Sequence, residues 1–190
     1  NEKELFNTLS APAYSIAFAS SLVGITRWSV TRYLRGYFEY KSRVQQPPII
    51  EQSKIGSTYA SFLDLIDLLY VKEFLERGFT IQYLRIALAE AKEFLGTPHF
   101  ATSKFYTTRN EIVLKLPKDG MLIALMTGGQ LTIPEITEKL SDKLDFEDVT
   151  EYGFARRWYP QGKTGLIVID PQISFGRPIL VGYSVPTSHI

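Results

Sequence analysis

The spacing of apolar residues changes along this chain, and the changes mark its parts. Ile16, Ala19, Leu22 and Val23 recur at helical spacing, with a small Ala where a second helix can cross closely. Gly24 breaks that helix, Ile25 is placed to plug the corner, and Thr26 is a natural cap for a second helix with Val30, Tyr33 and Leu34 turned inward. Ahead of this pair, residues 1–13 predict a short lead-in helix that packs through Leu5, Phe6 and Leu9 and stops at Pro12. After it, aromatic and polar residues alternate from Tyr37 to Glu51 until Pro47 and Pro48 interrupt. That pattern predicts a strand, a turn and an edge strand, although a connecting loop also accommodates a double proline.

From Ser61 to Gly96 the helical period is strongest. Phe62, Leu65, Ile66, Leu69, Tyr70 and Phe74 form an amphipathic stripe ended by Arg77 and Gly78. Thr80 then caps a partner helix carrying Ile81, Leu84, Leu88, Ala91 and Leu95. Beyond Thr97 the period falls to two. Lys104 to Thr108, Glu111 to Leu116 and Leu122 to Thr127 read as strands joined by turns at Arg109-Asn110 and Lys118-Asp119-Gly120, and Ile133 to Leu144 reads as a short helix or 3-10 segment. The tail from Ile169 has glycine and proline corners between short β-branched runs, which fit an extended segment or small hairpin. The expected fold class is therefore α+β. A helical domain with a winged helix-turn-helix spans residues 1–97, a small mixed or antiparallel β domain spans 98–168, and a further segment begins at 169.

The outer face of the second helix gives this layout a candidate function. Arg27, Trp28, Ser29, Thr31, Arg32 and Arg35 combine three cations with short hydrogen-bonding side chains, a set suited to phosphates and base edges; an ordinary helical hairpin with a solvated basic face is the competing reading. Lys41 and Arg43 on the following ribbon would reach the flanking phosphates. The net charge is only +1, but it is unevenly spread: between Ile25 and Gln45 five cations face the single anion Glu39, whereas seven anions fall between Glu135 and Glu151. A local basic patch is enough to steer binding, because fields near a surface follow charges within about 10 Å. Readers of this kind usually address two half-sites, so a homodimer is expected.

Other chemistries find little support in the residues. There is no Cys, which removes disulfides and thiolate metal sites and fits a reducing cytoplasm. The two histidines, His99 and His189, have no carboxylates spaced to complete a metal site, and His99 reads as a solvated loop residue. Asp64 and Asp67 read as the polar edge of a packed helix rather than as a catalytic pair, and Gly128-Gly129 lacks the spacing of a phosphate loop. No apolar run approaches the roughly 20 residues of a membrane helix. Neither an enzyme nor a cofactor is expected. Phe100, Phe105, Tyr106, Trp158 and Tyr159 fit either a sheet core or a pocket for an apolar effector.

Two segments carry a family resemblance. Tyr14 to Gly96, with its helical pair SFLDLIDLLYVKEFLERGFTIQYLRIAL, resembles the MerR-type winged helix-turn-helix layout. The tail, with Asp170-Pro171, Gly176-Arg177-Pro178, Gly182 and Val185-Pro186-Thr187, is similar to the opening of a short uncharacterised domain family whose genes often lie beside PIN-type ribonuclease toxins. Together with the central FLDLIDLLYVKEF and TGGQ segments they resemble the larger VapB-type antitoxins. The resemblance implies an antitoxin that binds operator DNA, represses its own operon and neutralises a PIN-type ribonuclease; the alternative is a MerR-like regulator sensing an apolar small molecule. Within the tail, Arg177 is the candidate toxin contact, competing with a local role such as pairing with Asp170. In such proteins the tail leads into another small helical unit, and this sequence stops at Ile190, which fits either a truncated chain or a short member.

Overall fold

Helix α4 (Phe62–Glu76) is the axis around which the other elements are wrapped. The computed structural model describes residues 2–102, 104–116, 120–126, 143–146, 153–183 and 186–187. Ser61 caps α4 in a reciprocal capping box with Asp64, each side chain satisfying the other's backbone N–H. The expected stripe of apolar positions is buried, and so are Leu63, Asp64, Asp67, Leu68 and Val71 on the remaining sides. A helix touched on several sides by α1 (Glu2–Ser10), α2 (Ile16–Val23), α3 (Arg27–Arg35) and α5 (Ile81–Leu95) has no solvent face over most of its length.

The helix-turn-helix forms as its residues require. Ser15 accepts a hydrogen bond from Phe18 N, and Gly24 ends α2 at φ +75°, where a side chain would be strained. Ser20 Oγ donates to Ile25 O across the corner at 2.6 Å, and Thr26 caps α3 by accepting from Ser29 N at 3.1 Å. Val30 and Leu34 are buried, while Ile16, Leu22, Ile25 and Tyr33 pack against the core from its edge. The lead-in α1 buries Leu5 and Leu9, and Phe6 packs on Phe154 with ring centroids 5.4 Å apart.

After α3 the chain forms a hairpin of β2 (Tyr37–Glu39) and β3 (Val44–Gln46), with Tyr37 opposite Gln46 and Glu39 opposite Val44. The return strand ends before Pro47-Pro48, because Ile49 and Ile50 are in the core with their N–H groups directed at Tyr33 O, 3.0 Å each. A two-residue pairing not foreseen from the sequence, β1 (Tyr14–Ser15) with β4 (Tyr59–Ala60), closes the loop that follows.

Beyond α5, a 3-10 turn at Phe100–Thr102 leads into the antiparallel sheet β5 (Lys104–Thr107), β6 (Ile112–Lys115) and β7 (Leu122–Ala124). Polar contacts fasten this sheet to the helices: Arg77 donates to Thr107 Oγ1 at 2.7 Å, Ile112 N to Tyr83 Oη at 3.2 Å and Met126 N to Glu90 at 2.7 Å. Phe100, Phe105, Tyr106 and Trp158 are buried, with Phe105 set edge-on against Tyr70, Phe74 and Phe100. Next come β8 (Leu144–Phe146) paired with β9 (Ala155–Trp158), then β10 (Ile167–Val168) paired with β11 (Ile179–Leu180), so the tail is a small hairpin. The helix expected over 133–144 lies, except for Lys143 and Leu144, outside the described residues, as do the Gly128-Gly129 loop and His189. One continuous apolar cluster runs from Leu5 through the helices to Leu114, Trp158 and Ile169.

Candidate nucleic-acid interface

The residues expected to meet DNA differ in where the fold places them. Arg27 and Trp28 open α3 on the solvent side, with Trp28 64% exposed. Ser29 and Thr31 are half-buried and satisfied within the helix: Ser29 Oγ lies 2.9 Å from the Thr26 hydroxyl, and Thr31 Oγ1 donates to Arg27 O at 3.0 Å. Arg32 is stacked, its guanidinium 3.7 Å from the Tyr37 ring centre and 4.8 Å from that of Trp28. The rings hold this cation in one orientation and join α3 to the first strand of the hairpin. Its buried Nε has no hydrogen-bond partner among the described residues.

Arg35 is placed differently from the expectation that it shares the reading face. It leaves the last turn of α3 and donates to Ser57 O at 2.8 Å, bracing the loop after the hairpin. Gly36 sets the hairpin's approach. Its φ of +74° with extended ψ is open essentially to glycine alone, and a Cβ there would lie 2.2 Å from Gln46 O. Lys41 and Arg43 are exposed in the turn between β2 and β3, where Ser42 donates to Glu39 and Arg43 itself has φ +55°. Phe38 and Tyr40 are exposed beside them, rings 5.0 Å apart and edge-on, so the hairpin tip carries aromatic as well as basic side chains. No carboxylate other than Glu39 lies on this hairpin.

Arg177 is exposed on the tail. It follows a turn in which Ser174, Phe175 and Gly176 all have φ between +50° and +73°, and Phe175 is 90% exposed. The alternative partner Asp170 is otherwise engaged: this buried carboxylate accepts from Arg157 Nε at 2.7 Å and from Gln172 N at 2.9 Å. Gly176 is pressed against Tyr14, whose hydroxyl donates to Gly176 O at 3.1 Å and whose ionisation is pushed well up by burial and by Asp170.

A buried polar network escaped the sequence reading. His99 is buried rather than solvated: Nδ1 lies 2.8 Å from Asp67 Oδ2 and Nε2 lies 3.1 Å from Ser53 Oγ. Asp67 also accepts from Phe100 N at 2.7 Å, while Asp64 accepts from Ser53 N and Ser61 N, both at 2.8 Å. The two carboxylates are therefore interior anchors that tie the loop at Ser53 and the turn at Phe100 to α4, not the polar edge of a helix. Burial lifts Asp67 above the usual carboxylate range against the lowering effect of His99. Burial also opposes the His99 imidazolium, but the Asp67 charge and hydrogen bond, with Asp64 behind them, win and raise it. The local signal was the Ser61-x-x-Asp64 capping box; the link from Asp67 to His99 spans 32 positions and has no local signature.

Serine, histidine and aspartate in this order have the outline of a nucleophile, base and orienter. Here, however, Ser53 Oγ is also 2.6 Å from Ser61 Oγ and 3.1 Å from Asp64, and His99 and Asp67 are closed off in the core. The arrangement serves cohesion. Among the described residues no cluster of three or more His, Asp or Glu is spaced to hold a metal, and no helix is long and apolar enough to cross a membrane.

Fold and site together define an α+β protein with a winged helix-turn-helix arrangement at its head. No family model and no curated protein matches the chain. Among solved structures it is similar to the crystal structure of Rv2018 from Mycobacterium tuberculosis, with a TM-score of 0.60 and 19% identity over 94% of this chain and 84% of that one. At that identity the likeness concerns the fold.

Proposed function

We propose that this protein is a DNA-binding antitoxin that represses its own operon and neutralises a PIN-type ribonuclease. The observation that supports the DNA-binding part is the stacking of Arg32 between Trp28 and Tyr37, which pre-orients a cation on α3 and couples it to a hairpin tipped with Lys41 and Arg43. A cation held before binding loses less side-chain entropy on contact with phosphate or guanine. Arg27 and Arg32 are the base-edge candidates, Lys41 and Arg43 the phosphate contacts, and Ser29 and Thr31 shape the helix that presents them. Arg35 contributes by bracing the loop. A homodimer would present two such units to adjacent half-sites.

The antitoxin part rests on the tail motif, whose Arg177 is exposed while the nearest acid of the motif is held by Arg157. An arginine in that state is available to a carboxylate-rich metal site of a nuclease. Gel shifts with a fragment of the chain's own promoter test the first part: an Arg27→Ala, Arg32→Ala double variant should lose binding, and unchanged affinity removes α3 from the interface. The neighbouring reading frame tests the second. If it lacks the spaced acidic residues of a PIN nuclease, the antitoxin reading falls and regulation by a small effector takes its place.

A further inference from the structure

The loop between Pro47 and Ser57 arches from the hairpin to α4 and leaves a cavity of about 580 Å³ beneath it, in the size range of small-molecule sites. Five contacts hold the arch open. Arg35 and Gln52 both donate to Ser57 O, Gln52 also donates to Tyr59 O, Arg85 from α5 donates to Pro47 O, and Lys92 lies 4.0 Å from Glu51. The walls are apolar: Leu34 from the end of α3, Pro47, Pro48, and Ile55, which is 85% exposed at the mouth. The charged lining consists of Arg35 and Lys92 against Glu51, a surplus of one positive charge beside an apolar surface. Gln52 adds an amide whose nitrogen is fixed by two carbonyls and whose buried oxygen has no donor among the described residues.

We infer that this cavity is a binding site for a small amphipathic carboxylate, its apolar body on Leu34, Pro47, Pro48 and Ile55 and its carboxylate between Arg35 and Lys92. The inference does not rest on the proposed function, because it concerns binding to the protein alone. It adds a possible control to it: the site is built from the last turn of α3 and from the residues directly after β3, so an occupant holds the helix and the hairpin in one relative position. Arg35, which sequence reasoning places on DNA, is assigned here to the ligand.

The test uses the full chain and a matched pair of probes, 4-phenylbutyrate and the uncharged 4-phenylbutanol, followed by backbone amide NMR. The carboxylate should bind saturably with shifts centred on Leu34, Arg35, Gln52, Ile55 and Gly56, and at least about tenfold more tightly than the alcohol. Arg35→Gln with Lys92→Gln should remove that preference. Ile55→Glu, an exposed change that places an anion at the mouth, should abolish carboxylate binding while the rest of the spectrum is unchanged. Absence of saturable shifts at these amides up to about 10 mM, equal affinity for the alcohol, or full binding by Ile55→Glu each overturns the site. Because no DNA is present, failure of the DNA-reading proposal leaves this result unaffected.

Discussion

Replacing Asp67 by Ala should destabilise the protein more than any change on the exposed face of α3 or at the hairpin tip. The carboxylate is fully buried and accepts from two donors, His99 Nδ1 and Phe100 N. Deletion leaves both without an acceptor and removes the negative partner of a buried pair, a perturbation that costs about 3–5 kcal/mol. Asp67→Asn keeps the shape and an oxygen for Phe100 N, and a neutral His99 can accept from the new amide, so the loss should be nearer 1–2 kcal/mol. Urea unfolding followed by tryptophan fluorescence measures both, with the exposed Glu93→Ala as a control expected within about 0.5 kcal/mol of wild type. The pH dependence separates this network from mere volume loss. His99 is raised above its usual 6.5, so the folded state binds more proton than the unfolded state above that pH. Its contribution to stability is complete below pH 6.5 and is lost as pH rises through the folded value. In Asp67→Asn the largest raising influence is gone and this decline should disappear. A loss under about 1 kcal/mol in Asp67→Ala, or an unchanged pH slope in Asp67→Asn, refutes the reasoning.

Further expectations concern the hairpin and the tail. Gly36→Ala should cost at least about 1–3 kcal/mol from its backbone angles alone, and should weaken DNA binding by displacing the hairpin, as thermal unfolding and gel shifts will show. Tyr37→Ala, which removes the ring over Arg32, should lower DNA affinity while Lys41→Ala mainly reduces the salt dependence by about one unit of slope; equal salt slopes in the two variants contradict the assignment. Gly176→Ala places a Cβ 2.0 Å from the Tyr14 hydroxyl and should lower the melting temperature, whereas Arg177→Ala should leave it unchanged and affect only co-purification with the nuclease proposed as its partner.

The local rules of the chain determined much of the fold. Gly24, Thr26, Ser61, Gly78 and Thr80 begin or end helices through hydrogen bonds and backbone angles that reach only a few residues, so α2 to α5 were legible with their inward faces. The period-two segments likewise became β5, β6 and β7, paired as their turns required. Burial on all sides of α4 was not legible, because an amphipathic stripe records which face meets the first neighbour and not how many more neighbours arrive. The fates of individual polar side chains were equally non-local. Arg35 turned to a carbonyl 22 positions away, His99 to a carboxylate 32 positions away, and Tyr14 to a backbone oxygen 162 positions away. For buried His99 and Tyr14 the partner was chosen by desolvation, since a polar group carried into the interior must be satisfied by whatever the packed chain brings within hydrogen-bonding reach, whereas exposed Arg35 met the carbonyl that the loop brings to the end of α3. The sequence named the residue types able to read DNA; only the tertiary structure decided that Arg32 would be held by two rings and that Arg35 would become part of a cavity wall.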